Sequence, residues 1–337
     1  MSVLHQSWGK PRPTVQALTQ ADLTNGHISL IDWEQQKVIW TRRHKSPSGV
    51  AFSSEKLYVA SMLGQAISVF DRQMNCNAIW HHSLFADLHT IVSGPGRRLL
   101  LTSSGIDGIL ELDCCGRVTW DWLGTEHGFD QLMDRRRRVV DRRFDYSRPQ
   151  PVTALQATHI NSAIYYDDDR ILATLFLQGI VVMIDRRTKR YDVVVSGLDQ
   201  PHAIRPRMSG GGWTVCDTGA NAVVLLDDQF RILDVVELDF DWVQDAIGLD
   251  DETTLVLDAN NARIVELSYR EGHAIINREF KYSSTWKAFG IQIVPRAEVP
   301  DRITLADLAK SPDFIPYAGS SEAAQTTVRD LRHSHSC

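Results

Sequence analysis

One structural unit recurs along this 337-residue chain, and that recurrence leaves little freedom about the fold. An apolar-alternating strand ends in a polar residue, usually Asp; a turn follows, and a second strand runs back. It reads HISLIDWEQQKVIW, AISVFDRQMNCNAIW, ILELDCCGRVTWDW, VVMIDRRTKRYDVVV, AVVLLDDQFRILDVVEL and RIVELSYREGHAIINREF. The equivalent positions are Asp32, Asp71, Asp113, Asp185, Asp227 and Ser268, with separations of 39, 42, 72, 42 and 41 residues. A second hairpin precedes most of these units, as in PSGVAFSSEKLYVAS, LHTIVSGPGRRLLLTSS and QDAIGLDDETTLVLDAN. Two hairpins in about 40 residues make one four-stranded propeller blade, and the long gap carries an insertion of roughly 30 residues.

The pattern predicts an all-β fold, a six-bladed β-propeller whose last blade is closed by pairing of the N- and C-terminal strands. Five blades are contiguous, at about 47–82, 88–122, 159–196, 202–237 and 245–280. For the sixth, residues 288–295 (AFGIQIVP) supply the innermost strand and residues 15–40 the three outer ones. Residues 1–296 therefore form one propeller domain, with 123–158 inserted as a candidate lid. Residues 297–337 form a polar tail, with one short helix expected near Ile303–Lys310.

Composition bounds the partners. A formal net charge of -6 disfavours nucleic acid and anionic membrane surfaces. No apolar run approaches the roughly 20 residues that span a bilayer. The first residues lack the apolar core of a signal peptide, so a cytoplasmic location is expected. Five cysteines, an odd number, do not suggest a disulfide framework. Cys114 and Cys115 are adjacent, which is poor spacing for tetrahedral zinc. There is no phosphate-cradling Gly-rich loop, nucleophile elbow or paired zinc motif, so no nucleotide cofactor is expected.

Candidate chemistry lies where the innermost strands begin, because these starts surround one mouth of the central axis. Aligned by strand alternation they are Ser48, His89, Ser162, His202, Asp245 and Phe289, with His159 just upstream of Ser162. His89, His159, His202 and Asp245 suit one divalent transition metal ion. Without a metal, His159, His202 and His89 could share acid–base or nucleophilic work. Ser48, Phe289, His127 and Arg205 are the candidate substrate contacts. In the insertion, Glu126 and His127 could cap the mouth, and Arg142, Arg143 or Arg148 could bind an anion. A solvated basic helix is the competing account of that segment.

Two resemblances sharpen this. PHAIRPRMSGGGWTVCDTGANAVVLLD and LVLDANNARIVEL resemble NHL-type repeats, which implies a propeller but no activity. THINSAIYYDDDRILAT resembles the His-x-Asn-Ser strand of the arylsulfotransferase family, whose members are also six-bladed propellers. As in that family, a tryptophan-containing strand (RVTWDW) precedes a long loop leading into the histidine. The resemblance spans roughly residues 106–200 and implies sulfuryl transfer on an axial histidine, with His159 as the position carried over. Taken together, the sequence predicts an enzyme acting on a small organic, anionic or aromatic substrate at the axial mouth. Group transfer, lyase and cyclisation chemistry stay open. The alternative is a non-catalytic interaction scaffold or small-molecule sensor; oligomeric state is not legible.

Overall fold

The protein is described by a computed structural model covering residues 2–4, 26–53, 56–148, 153–270, 273–284 and 286–294. The expected helix near 303–310 and the tail lie outside these residues.

Strands β1 (Ser2–Leu4), β2 (Gly26–Asp32) and β3 (Lys37–His44) open the chain. The first blade is β4 (Pro47–Ser53), β5 (Lys56–Ser61), β6 (Ala66–Phe70) and β7 (Cys76–Trp80). The second is β8 (Leu88–Ser93), β9 (Leu99–Ser103), β10 (Gly108–Leu112) and β11 (Val118–Leu123). The third is β12 (Ile160–Tyr165), β13 (Arg170–Leu175), β14 (Ile180–Asp185) and β15 (Tyr191–Ser196). The fourth is β16 (Ile204–Pro206), β17 (Trp213–Asp217), β18 (Ala222–Leu226) and β19 (Ile232–Glu237). The fifth is β20 (Val243–Gly248), β21 (Thr253–Asp258), β22 (Arg263–Arg270) and β23 (His273–Lys281), and β24 (Lys287–Gly290) follows.

Each of these five units is a four-stranded antiparallel meander, so the chain is an all-β propeller with five self-contained blades rather than six. The two ends pair into a further four-stranded sheet in the order β24-β1-β2-β3. Its second strand is not drawn from the stretch after Val15, as the sequence had suggested. Ser2 pairs with Ile28 on one side and Gly290 on the other, so β1 takes that place.

The recurring Asp has a local cause. Asp71 Oδ1 accepts the N–H groups of Gln73 and Asn75, both at 2.9 Å. Asp113 does the same for Cys115 and Arg117, and Asp227 for Gln229 and Arg231. A short carboxylate closing the turn onto its own backbone fixes the outer hairpin, so these acids are structural.

The core lies between sheets. Each apolar cluster joins two neighbours, such as Leu88 and Leu101 with Ala60 and Ile67, or Val223 and Val236 with Val256 and Val265. The end-built sheet is held on both flanks: Ile31 and Ala288 pack with Leu257 and Ile264, and Ile28 and Trp40 with Val59 and Phe70. Fully burying each such aliphatic contributes about 1.5–3 kcal/mol, and the clusters together fix the radial order of the sheets.

The insertion forms no α-helix among its described residues, only two short 3-10 turns, Gly124–Glu126 and Thr153–Leu155. It is a run of turns with one bridge, Gln131 to Arg137. Its arginines are spent on carboxylates: Arg142 on Asp121 and Glu126, Arg143 on Asp141, Arg148 on Asp145. These pairings bring the basic stretch close to local charge balance. No helix is long and apolar enough to cross a membrane among the described residues.

Candidate functional site

Innermost strands approach the axis through a left-handed residue. Ser46, Asp87, His159, Gln200 and Trp242 have φ of 43°, 52°, 49°, 54° and 67°. Such a conformation costs a non-glycine residue of order 1 kcal/mol, so its recurrence marks a built feature of the fold. Two residues later come Ser48, His89, Asn161, His202 and Gln244, all buried and all lining one axial cavity. By this spacing Asn161 and Gln244 are the equivalent positions in two blades where Ser162 and Asp245 were expected, although Asp245 lines the same cavity. The register shifts between Ile160 and Ser162 and between Val243 and Asp245, as it does between Pro47 and Gly49 and between Leu88 and Ile91.

The cavity measures only about 30 Å³. That is room for a water molecule, beneath the mouth of the axis. Aromatic rings make an arc around that mouth. The His89 and His159 rings lie 4.9 Å apart, Phe176 lies 5.0 Å from His159 and 5.1 Å from His202, and Trp242 lies 5.3 Å from His202. Lys287, at the start of β24, ends the arc with Nζ 4.4 Å from the centre of the Trp242 ring.

All three histidines are held by Nδ1. His89 Nδ1 donates to the Asp87 carbonyl at 2.9 Å, with Ser104 Oγ at 3.1 Å. His202 Nδ1 donates to the Gln200 carbonyl at 3.2 Å. His159 Nδ1 donates to Gln156 Oε1, and Gln156 Nε2 donates to Asp87 Oδ2 at 2.8 Å. An Nδ1–H fixed on oxygen leaves the lone pair on Nε2. Burial, reinforced by the neighbouring imidazoles, holds His159 well below the usual histidine range. Burial and then the Lys287 charge push His202 down to about 3. Both are therefore neutral at pH 7, with a basic nitrogen available. Burial also pushes Lys287 down to about 7, against a smaller opposing pull from Asp241.

The remaining expected residues are placed as follows. Asp245 is not grouped with the histidines. Its carboxylate takes Arg205 through two bonds of 3.1 and 2.8 Å and the Ile291 N–H at 3.0 Å, which leaves it no free face for a metal. Arg205 lines the cavity but is committed to that pair. Ser48 and Phe289 line the cavity wall. His127 is elsewhere: it stacks on Trp122 of the outer strand β11, 4.9 Å between centres and 3° between planes. Among the described residues, the group that could hold a cation is Asp87, His89 and His159, whose ligand atoms lie within 4.8 Å of one another.

Sequence reading missed Asp87, Gln156, Phe176, Trp242 and Lys287. The signal for Asp87 and Trp242 was their place before each innermost strand, equivalent to His159. Gln156 is the insertion's own contribution to the site. Phe176 and Lys287 carry no local signal.

The arylsulfotransferase (ASST) family pattern matches residues 8–195, more than half of the chain and including both His89 and His159. The chain belongs to the arylsulfotransferase family. Its fold is similar to that of virginiamycin B lyase from Staphylococcus aureus, at 10% identity over 76% of this chain and 73% of that one, with a TM-score of 0.50. It is also similar to a Bacteroides caccae protein of unknown function, at 13% identity over 73% and 86%, with a TM-score of 0.51. A streptogramin B lyase aligns at 11% identity over 70% and 68%, with a TM-score of 0.50. At such identities these structures speak to the propeller alone. No curated protein matches this sequence.

Proposed function

We propose that this member of the family transfers a sulfuryl group from an aryl sulfate to an acceptor hydroxyl, through His159. The observation that carries the reading is the relay Asp87–Gln156–His159, which fixes the His159 tautomer and leaves the lone pair on a neutral Nε2. His159 Nε2 attacks sulfur, the sulfur–oxygen bond to the aryl group breaks, and the electron pair leaves on the phenolate. The acceptor oxygen then attacks sulfur, the nitrogen–sulfur bond breaks, and the acceptor proton passes to a neighbouring base. Net, the phenol gains the proton that the acceptor loses. The end-built sheet counts as the sixth blade in this reading, since four strands from both termini complete the wall behind Lys287.

The test is incubation with 4-nitrophenyl sulfate and a phenol acceptor. Release of 4-nitrophenol, with a sulfuryl mass increment on the peptide carrying His159, supports the proposal. The absence of both in folded wild-type protein refutes it and moves the sensor or scaffold reading forward.

The buried Asp87, His89 and His159 group favours a second reading, in which these residues hold one divalent transition metal ion as a Lewis acid. Elemental analysis of wild type beside His89→Ala/His159→Ala separates the two readings.

A further inference from the structure

Among the described residues Lys287 is a buried amine without an anion in contact. Its side chain is 95% shielded from solvent, counting the 5% exposure of the residue, and it lies over the face of Trp242. Among the described residues no carboxylate is in ion-pair contact with its Nζ. Asp241 is the nearest acid to act on it, and that carboxylate is held by Asn260 at 2.9 Å. His202, its other electrostatic neighbour, is neutral and cannot balance it. A buried ammonium that meets only an aromatic face and an imidazole is costly unless an anion completes the site. Trp242 also offers that anion an apolar wall, and its indole is held in place by Gln244 Oε1 at 2.9 Å.

We infer that Lys287 is a further catalytic residue: its ammonium binds an oxygen of the substrate's sulfuryl group, and it passes a proton to the departing aryl oxygen. This rests on the transfer reading above. The proton balance closes within the site, because Lys287 gives a proton to the phenolate in the first half-reaction and regains it from the acceptor hydroxyl in the second. The aryl ring then lies against Phe176 and Trp242, while the sulfuryl sulfur faces His159. The ligand class is an aromatic ester of a strong oxyanion, with recognition split between the arc of rings and one ammonium.

Two measurements test it with separate failure modes. Binding is read first, in His159→Ala protein that cannot complete transfer, using quenching of tryptophan fluorescence by 4-nitrophenyl sulfate and by uncharged 4-nitrophenol. Adding Lys287→Met should weaken the sulfate ester by about tenfold or more, the scale of a charge-assisted contact, and leave 4-nitrophenol unchanged. Adding Lys287→Arg instead should restore most ester binding. Equal affinity of the ester with and without Lys287→Met, in protein with unchanged near-ultraviolet circular dichroism, overturns anion recognition. Turnover is read second, comparing phenyl sulfate with 4-nitrophenyl sulfate in otherwise wild-type protein. Lys287→Met should lose much more rate on phenyl sulfate, whose leaving group needs the proton. Equal losses on both esters overturn proton donation. Loss of turnover on every ester in wild type, with anion binding still dependent on Lys287, would sink the transfer reading and keep the anion site.

Discussion

Asp107 grips His159 by the backbone: its Oδ1 accepts the His159 N–H at 3.1 Å while the histidine sits at φ 49°. The same fully buried carboxylate takes the N–H groups of Ala157 and Thr158 and the Thr158 hydroxyl, and is ion-paired with the Arg138 guanidinium, whose Nε lies 2.9 Å away. One acid on the β9–β10 turn thus anchors the end of the insertion and sets the angle at which His159 meets the mouth. Replacing it with Ala leaves several buried amides unpaired and the Arg138 guanidinium without its carboxylate, with only the Gly105 carbonyl as acceptor among the described residues. We expect Asp107→Ala to lose about 3–5 kcal/mol of stability by urea denaturation. Asp107→Asn keeps a shorter set of bonds and should retain the fold, with kcat reduced more than KM is raised. A wild-type kcat in folded Asp107→Asn would show that the grip does not serve the imidazole.

Gln156 should matter through tautomer rather than affinity. Gln156→Leu removes the acceptor for His159 Nδ1–H and the donor to Asp87, so either His159 nitrogen can carry the proton. Loss of such an orienting partner typically costs about 10–100-fold. The expected result is a drop in kcat of that size with KM within about twofold, on the argument that the residue touches imidazole and not substrate. Asp87→Asn in the same background should add little, because the two act as one relay. Additive losses would dissolve the relay into two independent contacts.

Much of this architecture was legible in the sequence, and the reason is local. The recurring Asp closes its own turn, so the blades announce themselves every 40 residues or so. His89, His159 and His202 were found because they stand at or beside strand starts. The errors arose where position depends on backbone geometry that residue identity does not encode. Asn161 and Gln244 stand on the cavity wall alongside the expected Asp245, at strand starts where the register shifts. Asp245 looked like a ligand until Arg205, 40 residues away, was seen to occupy it. Lys287 was invisible because its meaning comes from Trp242 and His202 on two other sheets, contacts that only ring closure creates.

The pH dependence of stability follows from Lys287 and His202, two bases whose burial gives the same sign. Lys287 falls from 10.5 to about 7 on folding, so between these values the unfolded chain holds more protons than the native one. His202 falls from 6.5 to about 3, which extends the same imbalance through the acid range. Stability therefore rises with pH across both windows and is lost as pH falls through them. The measurement is the urea midpoint at about pH 5, 7 and 9.5. Wild type should be more stable at the highest of these than at neutrality, as far as these two groups decide it. Lys287→Met should abolish the slope between the upper two points and keep the one below. A slope above neutrality that survives Lys287→Met would assign it to other groups.

Gly49 carries a steric prediction at the same axis. It lies on β4 directly against the backbone of β8, and a Cβ at Gly49 would meet the His89 carbonyl oxygen at 2.6 Å and the Ile91 nitrogen at 2.9 Å. Both are main-chain atoms, so neither can swing aside as a flexible side chain would. The only relief for Gly49→Ala is to part the two innermost strands, which strains the packing of Leu88 and Ile91 against Ala51 and Ala60. Overpacking of this kind costs about 1–3 kcal/mol, visible as a lower midpoint in thermal or urea denaturation. Because His89 is one of the atoms struck, the damage should reach chemistry too: kcat should fall in Gly49→Ala even at temperatures where the variant is fully folded. The control is Gly96→Ala, at an open turn where a Cβ meets nothing within 4 Å but φ is 66°. That variant should lose stability through backbone strain alone and keep its kcat. Equal kcat in the two variants, measured well below both midpoints, would mean that the close approach of β4 and β8 serves the fold and not the placement of His89.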